Sequence, residues 1–456
     1  MTTRSYTRRV QTPVTATELF AWHERPGAFR RLTPPWAPVD VIDHPRDLRD
    51  GARATLRVRA AGLPLRWELE HRDYHPGQQF RDVQLRGPFA AWAHTHTVEA
   101  TPTGSALIDH IDYRLPAGPL GALGAPFVRR QLDQLFTYRH RTMTDDLHAH
   151  QKLDRPLTIA ITGASGLVGQ ALTAFLTTGG HTVLPLVRRE PRAGEIGWDP
   201  DRGHIDADAL EGIDAVVHLA GETIMGRWSD DKKRRIRDSR VEGTRLLAEA
   251  LARLDHKPSV FVSASAIGWY GDRGDTRLTE DSPRGDGFLA DVCEAWEAAA
   301  RPAADAGIRL VHPRFGIVLS PEGGALAQML LPFKLGLGGP IGSGDQYWSW
   351  IALDDAIGAI HHAIADEGIE GPINTTAPEP VTSRDFARTL GRVLSRPAVL
   401  KVPAFALKLA MGQAADEMLL AGQRVLPAVL EARGYDFRFP DLEDALRHQL
   451  GKAKTD

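Results

Sequence analysis

LTIAITGASGLVGQALTAFLTTGGHTVLPLVRR, residues 157–189, carries the strongest pattern in the chain and reads as strand, glycine-rich turn, helix, turn and second strand. Leu157 to Ile161 is an apolar run of the kind a strand covered on both faces requires. Glycines follow at 163, 166 and 169, directly after that strand and at the opening of the helix. Gly163 permits the tight turn, Gly166 lets the backbone approach a pyrophosphate, and Gly169 lets helix and strand pack closely. Unpaired N–H groups at the helix start then face the anion. A glycine triplet alone is a weak signal, but with strand, helix and second strand in place it predicts dinucleotide binding. The expected contacts are Thr162, Gly163, Ser165, Gly166, Leu167, Val168 and Gly169.

The second strand ends on Arg188 and Arg189, where an NAD-selective site carries an acidic residue for the ribose 2′-hydroxyl. A guanidinium forks onto a 2′-phosphate, so NADP is expected over NAD. The competing reading is that the two arginines cover an exposed strand end.

Upstream, the periodicity changes. ATLRVRA (54–60), LRWELEH (65–71), WAHTHTVEA (92–100) and ALIDHIDYRL (106–115) alternate apolar and polar residues, which predicts antiparallel strands with one buried face. Trp92, His94, His96 and Val98 share a face, as do Leu107, Asp109, Ile111, Tyr113 and Leu115. After the turn-rich PAGPLGALGAP (116–126), a helix is expected from Phe127 to about Gln151, with Val128, Leu132, Leu135, Phe136 and Met143 at helical spacing. LDRP (153–156) reads as a linker, giving domains at 1–152 and 157–456.

Composition narrows the function classes. Of 456 residues, 42% are hydrophobic and 25% charged, an ordinary globular balance. The net charge of −3 gives no global reason for nucleic acid or an anionic membrane as partner. The basic run DKKRRIRD (231–238) is interleaved with acids and reads as a solvated helix face. One cysteine, Cys293, excludes an intrachain disulfide. With no secretory start and no apolar run long enough to span a bilayer, a cytoplasmic protein is expected. No metal site is expected. His94 and His96 share a strand face, but no carboxylate or cysteine completes an evident set, so they read as cavity-lining or hydrogen-bonded; His140, His148 and His150 read as solvated.

Resemblances sharpen this outline. TELFAWHERPGAFRRLTPPW (17–36), GPFAAWAHTHTVEA (87–100), LIDHIDYRLPAGPLG (107–121) and LFTYRHRTMTDDL (135–147) resemble the START-like, helix-grip superfamily of polyketide cyclase and lipid-transfer domains. The resemblance implies an α+β domain with an apolar ligand in a cavity between sheet and helix.

DAVVHLAGE (214–222), VFVSASAIGWYGD (260–272), RLVHPRFGIVLS (309–320) and YWSWIALDDAIGAI (347–360) resemble the extended short-chain dehydrogenase/reductases. That implies an α/β Rossmann domain, a doubly wound parallel sheet with a small C-terminal lobe. It adds Leu219, Ala220, Gly221 and Ser263 to the cofactor contacts. RVEGTRLLAEA (240–250) resembles the N-V-x-G-T helix of sugar-nucleotide epimerases, with Arg240 where Asn is usual.

The superfamily's Tyr-x-x-x-Lys is missing: aligning Glu297 with the acidic residue that follows it puts Leu289 at the Tyr and Cys293 at the Lys. Leu289 has no transferable proton and Cys293 no fixed positive charge. AGETIMGRWSDDKKRRIRDSRV (220–241), LTEDSPRGDGFLADVCEAWE (278–297), GGPIGSGDQYWSWIALDD (338–355) and LLAGQRVLPAVLEARGYDFRFPDLEDAL (419–446) resemble the atypical SulA-type nucleoside-diphosphate-sugar epimerases instead. Ser265 sits close to the usual Ser position, with Ser263 as the other candidate. Tyr270 is the first candidate proton donor, with Glu222 and Asp272 as alternatives. Trp228, Arg240, Arg314, Lys334, Gln346 and Trp348 are expected to line a substrate pocket, Arg240 and Lys334 suiting an anionic group. The sequence thus points to NADP-dependent oxidoreduction or epimerisation of a small molecule. The rival reading is a non-catalytic NADP- and ligand-binding regulator; a START-like cyclase or hydrolase is a third, without an identifiable nucleophile–base pair. An oligomer is left open.

Overall fold

Alternating side chains shape the first part of the chain into one antiparallel sheet. Its strands are β1 (Arg4–Thr12), β2 (Asp40–Asp43), β3 (Arg53–Ala60), β4 (Leu63–His75), β5 (Gln79–Arg86), β6 (Ala91–Thr101) and β7 (Gly104–Arg114). They lie in the order β1-β7-β6-β5-β4-β3-β2. The alternation anticipates β3, β4, β6 and β7. It misses β1, β2 and β5; the patterns of β1 and β5 are broken by Arg8 and Arg9 and by Arg81 and Asp82. This computed structural model describes residues 3–37, 39–43, 45, 47–60, 63–116 and 121–453. Residues 117–120 of the turn-rich stretch lie outside them.

Helices pack beside the sheet. The Thr15 side chain caps α1 (Ala16–Glu24) by accepting from the Glu18 amide at 3.2 Å; α2 (Ala28–Leu32) follows. The long α3 (Ala125–His150) grips the sheet, close to the helix expected from Phe127. Leu132 and Phe136 of α3 pack on Tyr6, Trp92, Ile111 and Tyr113. Met143 and Leu147 pack on Leu19, Phe20, Trp22 and Leu107. Arg31 on α2 forks onto Asp146 of α3 through two 2.7 Å bonds, both side chains buried. Between sheet and helix lies a small cavity, its lining including Leu107, Phe136 and Met143 on the apolar side and His96, Asp109 and His140 on the polar side.

Two sequence expectations are corrected here. His140 is buried rather than solvated, with Nε2 2.7 Å from Asp109 Oδ2. His94 and His96 do have carboxylates beside them, because strand pairing sets Asp82 of β5 opposite His94 and Asp109 of β7 opposite His96.

The chain divides into two units between Lys152 and Leu153, with 177–180 and the stretch from Leu450 grouped with the first. The second unit contains β8 (Thr158–Thr162), α4 (Leu167–Thr178), β9 (Thr182–Val187), β10 (Ile196–Asp199), β11 (His204–Ile205), β12 (Ala215–His218), α5 (Asp230–Arg253), β13 (Val260–Ser263), β14 (Ser265–Ala266), α6 (Phe288–Ala299), β15 (Arg309–Phe315) and β16 (Gly371–Thr375). The parallel order is β10-β9-β8-β12-β13-β15-β16; β14 continues β13 alongside β15, and β11 pairs antiparallel with β10. This is the doubly wound sheet that the resemblance to the extended short-chain dehydrogenase/reductases implies. The strand order reverses between β8 and β12, and ligands of such sheets bind in the crevice at that point. Among the described residues no helix is long and apolar enough to cross a membrane.

Candidate nucleotide and substrate site

The glycines sit where their missing side chains are needed. Gly163 follows β8 with φ +68°, and a Cβ there would lie 2.9 Å from the Ala220 nitrogen and the Leu219 carbonyl carbon. A Cβ on Gly169 would fall 2.2 Å from the Gly163 oxygen, so only glycine lets α4 sit this close to the turn. At Gly166 an added Cβ would meet only the Gly163 oxygen, at 3.3 Å. Ser165 and Gly166 are exposed, which leaves the outer face of the turn open to an anion at the start of α4.

The floor of the crevice is a hydrogen-bonded strand end. The Thr162 hydroxyl accepts from the amides of Leu219 and Ala220 at 3.1 and 3.2 Å and lies 2.7 Å from His218 Nδ1. Its lone pairs being used, it donates its proton to His218. That ring is therefore neutral, consistent with burial holding its pKa down to about 3. Next along the sheet, the Ser263 hydroxyl is buried without a hydrogen-bond partner. Arg188 and Arg189 close the far side at the end of β9, both half-exposed. Arg189 forks onto Glu195, and Arg188 lies over the Trp198 ring, 5.9 Å from its centroid, and 3.5 Å from Asp201.

The expected catalytic residues have other commitments. Ser265 Oγ donates to Glu297 Oε1 at 2.7 Å, and Glu297 takes two bonds from Arg314 at 2.8 and 2.9 Å. Arg314 continues to the Tyr270 oxygen at 3.1 Å, and Tyr270 donates to Asn374 Oδ1 at 2.7 Å. Tyr270 is fully buried and its pKa is raised by that burial. Tyr270, the first candidate proton donor, is therefore an interior residue with its hydroxyl committed to Asn374. The expectation of Arg314 in a substrate pocket is corrected, since its buried guanidinium is spent on Glu297 and lies 4.0 Å from the Trp269 ring centroid. Asp272 accepts from the amides of Gly274 and Gly422, a loop-fixing role. Glu222 is partly exposed and paired with Lys232 at 2.6 Å, an ammonium that holds its carboxyl below the usual range.

Leu289 and Cys293 lie on the face of α6 turned to Gly268. The Cys293 thiol is buried 3.5 Å from the Ala266 oxygen, and burial pushes its pKa up to about 11. The positive charge near this position comes from α5. Arg240 donates to the Glu222 and Ile236 carbonyls at 3.0 Å, lies 4.9 Å from the Trp296 ring centroid, and packs so closely on Gly221 that a Cβ there would meet its Cζ at 3.2 Å.

The remaining substrate candidates do not form one group. Trp228 is buried with Phe288 and donates to the Ile224 carbonyl at 2.8 Å. Gln346 and Trp348 both donate to the Leu419 carbonyl, at 3.0 and 3.4 Å. Lys334 is exposed at the end of the helix Gly324–Lys334. Sequence reasoning missed Asn374 and Glu417. The Glu417 carboxylate accepts from the Phe288 and Leu289 amides at 3.2 and 2.8 Å, capping α6 from 128 residues away in sequence.

The NAD-dependent epimerase/dehydratase family matches residues 159–374, the polyketide cyclase/dehydrase and lipid transport family residues 12–137, and a domain of unknown function residues 402–449. An epimerase family protein of Mycobacterium tuberculosis is 45% identical over 290 residues, 63% of this chain and 96% of its own length. The human epimerase family protein SDR39U1 is 39% identical over 295 residues, 64% of this chain and 99% of its own. Among solved structures, a nucleoside-diphosphate sugar epimerase from Corynebacterium glutamicum is 38% identical with a TM-score of 0.81, covering 99% of this chain and 91% of that one. Human SDR39U1 isoform 2, solved with NADPH, is 37% identical with a TM-score of 0.60, covering 64% and 99%.

Proposed function

Since the chain belongs to the epimerase family, we propose that it is an NADP(H)-dependent oxidoreductase or epimerase-like enzyme of a small molecule, its cofactor held in the Gly163–Gly169 crevice. The observation that carries this reading is the cradle itself: Cβ atoms on Gly163 or Gly169 would collide with backbone, while Gly166 has open space on its outer side. Thr162, Ser165, Leu167 and Val168 would frame the pyrophosphate, and Leu219, Ala220, Gly221 and the unpartnered Ser263 hydroxyl the nicotinamide end. Arg188 and Arg189 would meet the 2′-phosphate, exchanging their carboxylate partners Asp201 and Glu195 for it. The bound cofactor supplies a hydride or accepts one. NADPH bound to the human relative supports the phosphorylated form.

This chain's own residues would hold charge beside the reacting centre. With Leu289 and Cys293 at the usual Tyr and Lys positions, Arg240 is the fixed cation next to the Leu219–Gly221 segment. Glu222, ionised beside Lys232, suits proton acceptance better than donation. Ser265 and Tyr270 would position Glu297 and Arg314 rather than touch substrate. The first unit, by its match to polyketide cyclase and lipid transport proteins, would take a ligand with an apolar body.

Calorimetric titration with NADPH, NADP⁺ and NADH, repeated with Gly166→Asp, tests the reading. Micromolar binding of the phosphorylated forms, weaker binding of NADH and loss in the variant are expected. No binding by any of the three would overturn it. One observation favours a second reading, a non-catalytic NADP-dependent regulator: Tyr270, the first candidate proton donor, has its hydroxyl buried on Asn374. Binding without NADPH oxidation across a broad panel of carbonyl compounds would favour that reading.

A further inference from the structure

We propose that the sheet of the first unit holds a divalent first-row transition cation between Asp82, His94 and His96. The strand register brings these residues together. Asp82 on β5 stands directly opposite His94 on β6, His71 on β4 opposite Asp82, and Asp109 on β7 opposite His96. His94 and His96, two apart on one strand, point to the same face. One donor atom from each of Asp82, His94 and His96 lies within 4.8 Å of the others.

The spacing fits coordination better than it fits a hydrogen bond. His96 Nε2 and Asp82 Oδ2 are 3.5 Å apart. Ligand atoms bound at about 2.1 Å to a tetrahedral ion lie about 3.4 Å from one another. The shorter contacts form the surrounding shell. Asp109 Oδ1 is 2.9 Å from His94 Nε2 and 2.8 Å from His96 Nδ1, while its Oδ2 is held 2.7 Å from His140 Nε2. His71 Nδ1 lies 2.6 Å from Asp82 Oδ1. A carboxylate on the far nitrogen of each imidazole fixes the tautomer and turns the other nitrogen toward a metal, here His94 Nδ1 and His96 Nε2. Several of these buried atoms, His71 Nδ1, Asp82 Oδ1 and His96 Nδ1, lie close to their neighbours without hydrogen-bond alignment.

The donor set selects the cation. Two imidazole nitrogens and one carboxylate oxygen suit zinc, iron, cobalt or nickel. Magnesium and calcium seek oxygen-only ligands. His96 also lines the cavity beside Phe136 and Met143, so a ligand in that cavity would lie close to the ion.

The experiment uses the untagged full chain, stripped with a chelator and titrated with Co²⁺, whose visible spectrum reports tetrahedral nitrogen and oxygen ligation. The expected result is a coloured Co²⁺ complex displaced by Zn²⁺ and indifferent to Mg²⁺. Binding is expected to weaken at least tenfold in His94→Gln and in Asp82→Asn, and to be unchanged in His110→Gln, which alters an exposed histidine of β7. Asp82→Asn is nearly isosteric at a partly exposed position, so its circular dichroism will match that of the unaltered chain. No tetrahedral Co²⁺ spectrum, or the same spectrum and affinity in Asp82→Asn, would overturn the proposal and leave His96 as a protonated bridge between two carboxylates.

Discussion

The Thr162 hydroxyl and His218 Nδ1, 2.7 Å apart, join the ends of two adjacent parallel strands one residue before the glycine turn. Since Thr162 already accepts two amides, the bond exists only while His218 is neutral. The folded ring has its pKa held down to about 3, against 6.5 in an unfolded chain. Between those values the unfolded chain takes up a proton that the folded chain refuses, so stability is full above pH 6.5 and falls as the pH drops toward 3. His218→Asn keeps an acceptor near the Nδ1 position and removes the titration. Urea unfolding of the variant between pH 6.5 and 4.5 is expected to show a smaller slope, the difference growing from about 0.7 to about 1.4 kcal/mol per pH unit as the pH falls. Equal slopes would place the acid sensitivity elsewhere.

Gly169 and Gly166 are expected to behave oppositely. In Gly169→Ala the new methyl would stand 2.2 Å from the Gly163 oxygen, a backbone atom that cannot move without opening the turn. A loss of about 1–3 kcal/mol is expected, as for overpacking elsewhere. Gly166→Ala meets a single atom at 3.3 Å and leaves stability within about 0.5 kcal/mol. Its methyl would instead obstruct the pyrophosphate, weakening NADPH. Thermal melts beside NADPH titrations separate the two outcomes.

What was legible in the sequence follows the range of the interactions. The glycine turn is a local pattern, and its three positions could be read directly. The shared face of His94 and His96 is equally local, since alternation alone sets it. Asp82 and Asp109 were out of reach because strand register, not spacing, brings them to those histidines. Tyr270 failed for the same reason: a loop position five residues after Ser265 gives no hint that Asn374, 104 residues on, takes its hydroxyl. Arg314 read as a substrate-pocket residue because its partner Glu297 had been assigned only an alignment role.

The Arg314–Glu297 pair lies in the interior, with side chains 3% and 12% exposed. Glu297→Ala leaves a buried guanidinium unpaired and Ser265 without its acceptor, and is expected to cost about 3–5 kcal/mol. Replacing both members, as Arg314→Met with Glu297→Leu, removes the unpaired charge and is expected to recover most of that loss. A double-mutant cycle in urea measures it. A double variant as unstable as Glu297→Ala would mean that the Tyr270 and Ser265 contacts, not the charge, dominate.

Glu417 and Cys293 together report on α6. No side chain of its own caps this helix, and Glu417 fills that role through the Phe288 and Leu289 amides. Cys293 lies on the buried face about one turn further along. With the thiol buried and its pKa pushed up to about 11, a disulfide reagent at pH 8 finds almost no thiolate and no access, so labelling is expected to wait for opening of the helix. Glu417→Ala removes both acceptors and is expected to cost about 1–2 kcal/mol, the usual worth of a cap. If α6 opens locally, that loss speeds labelling of Cys293 by about 5- to 30-fold, while Glu417→Gln, which keeps one acceptor, falls between. Labelling that tracks only global unfolding in all three proteins would show that α6 does not open on its own.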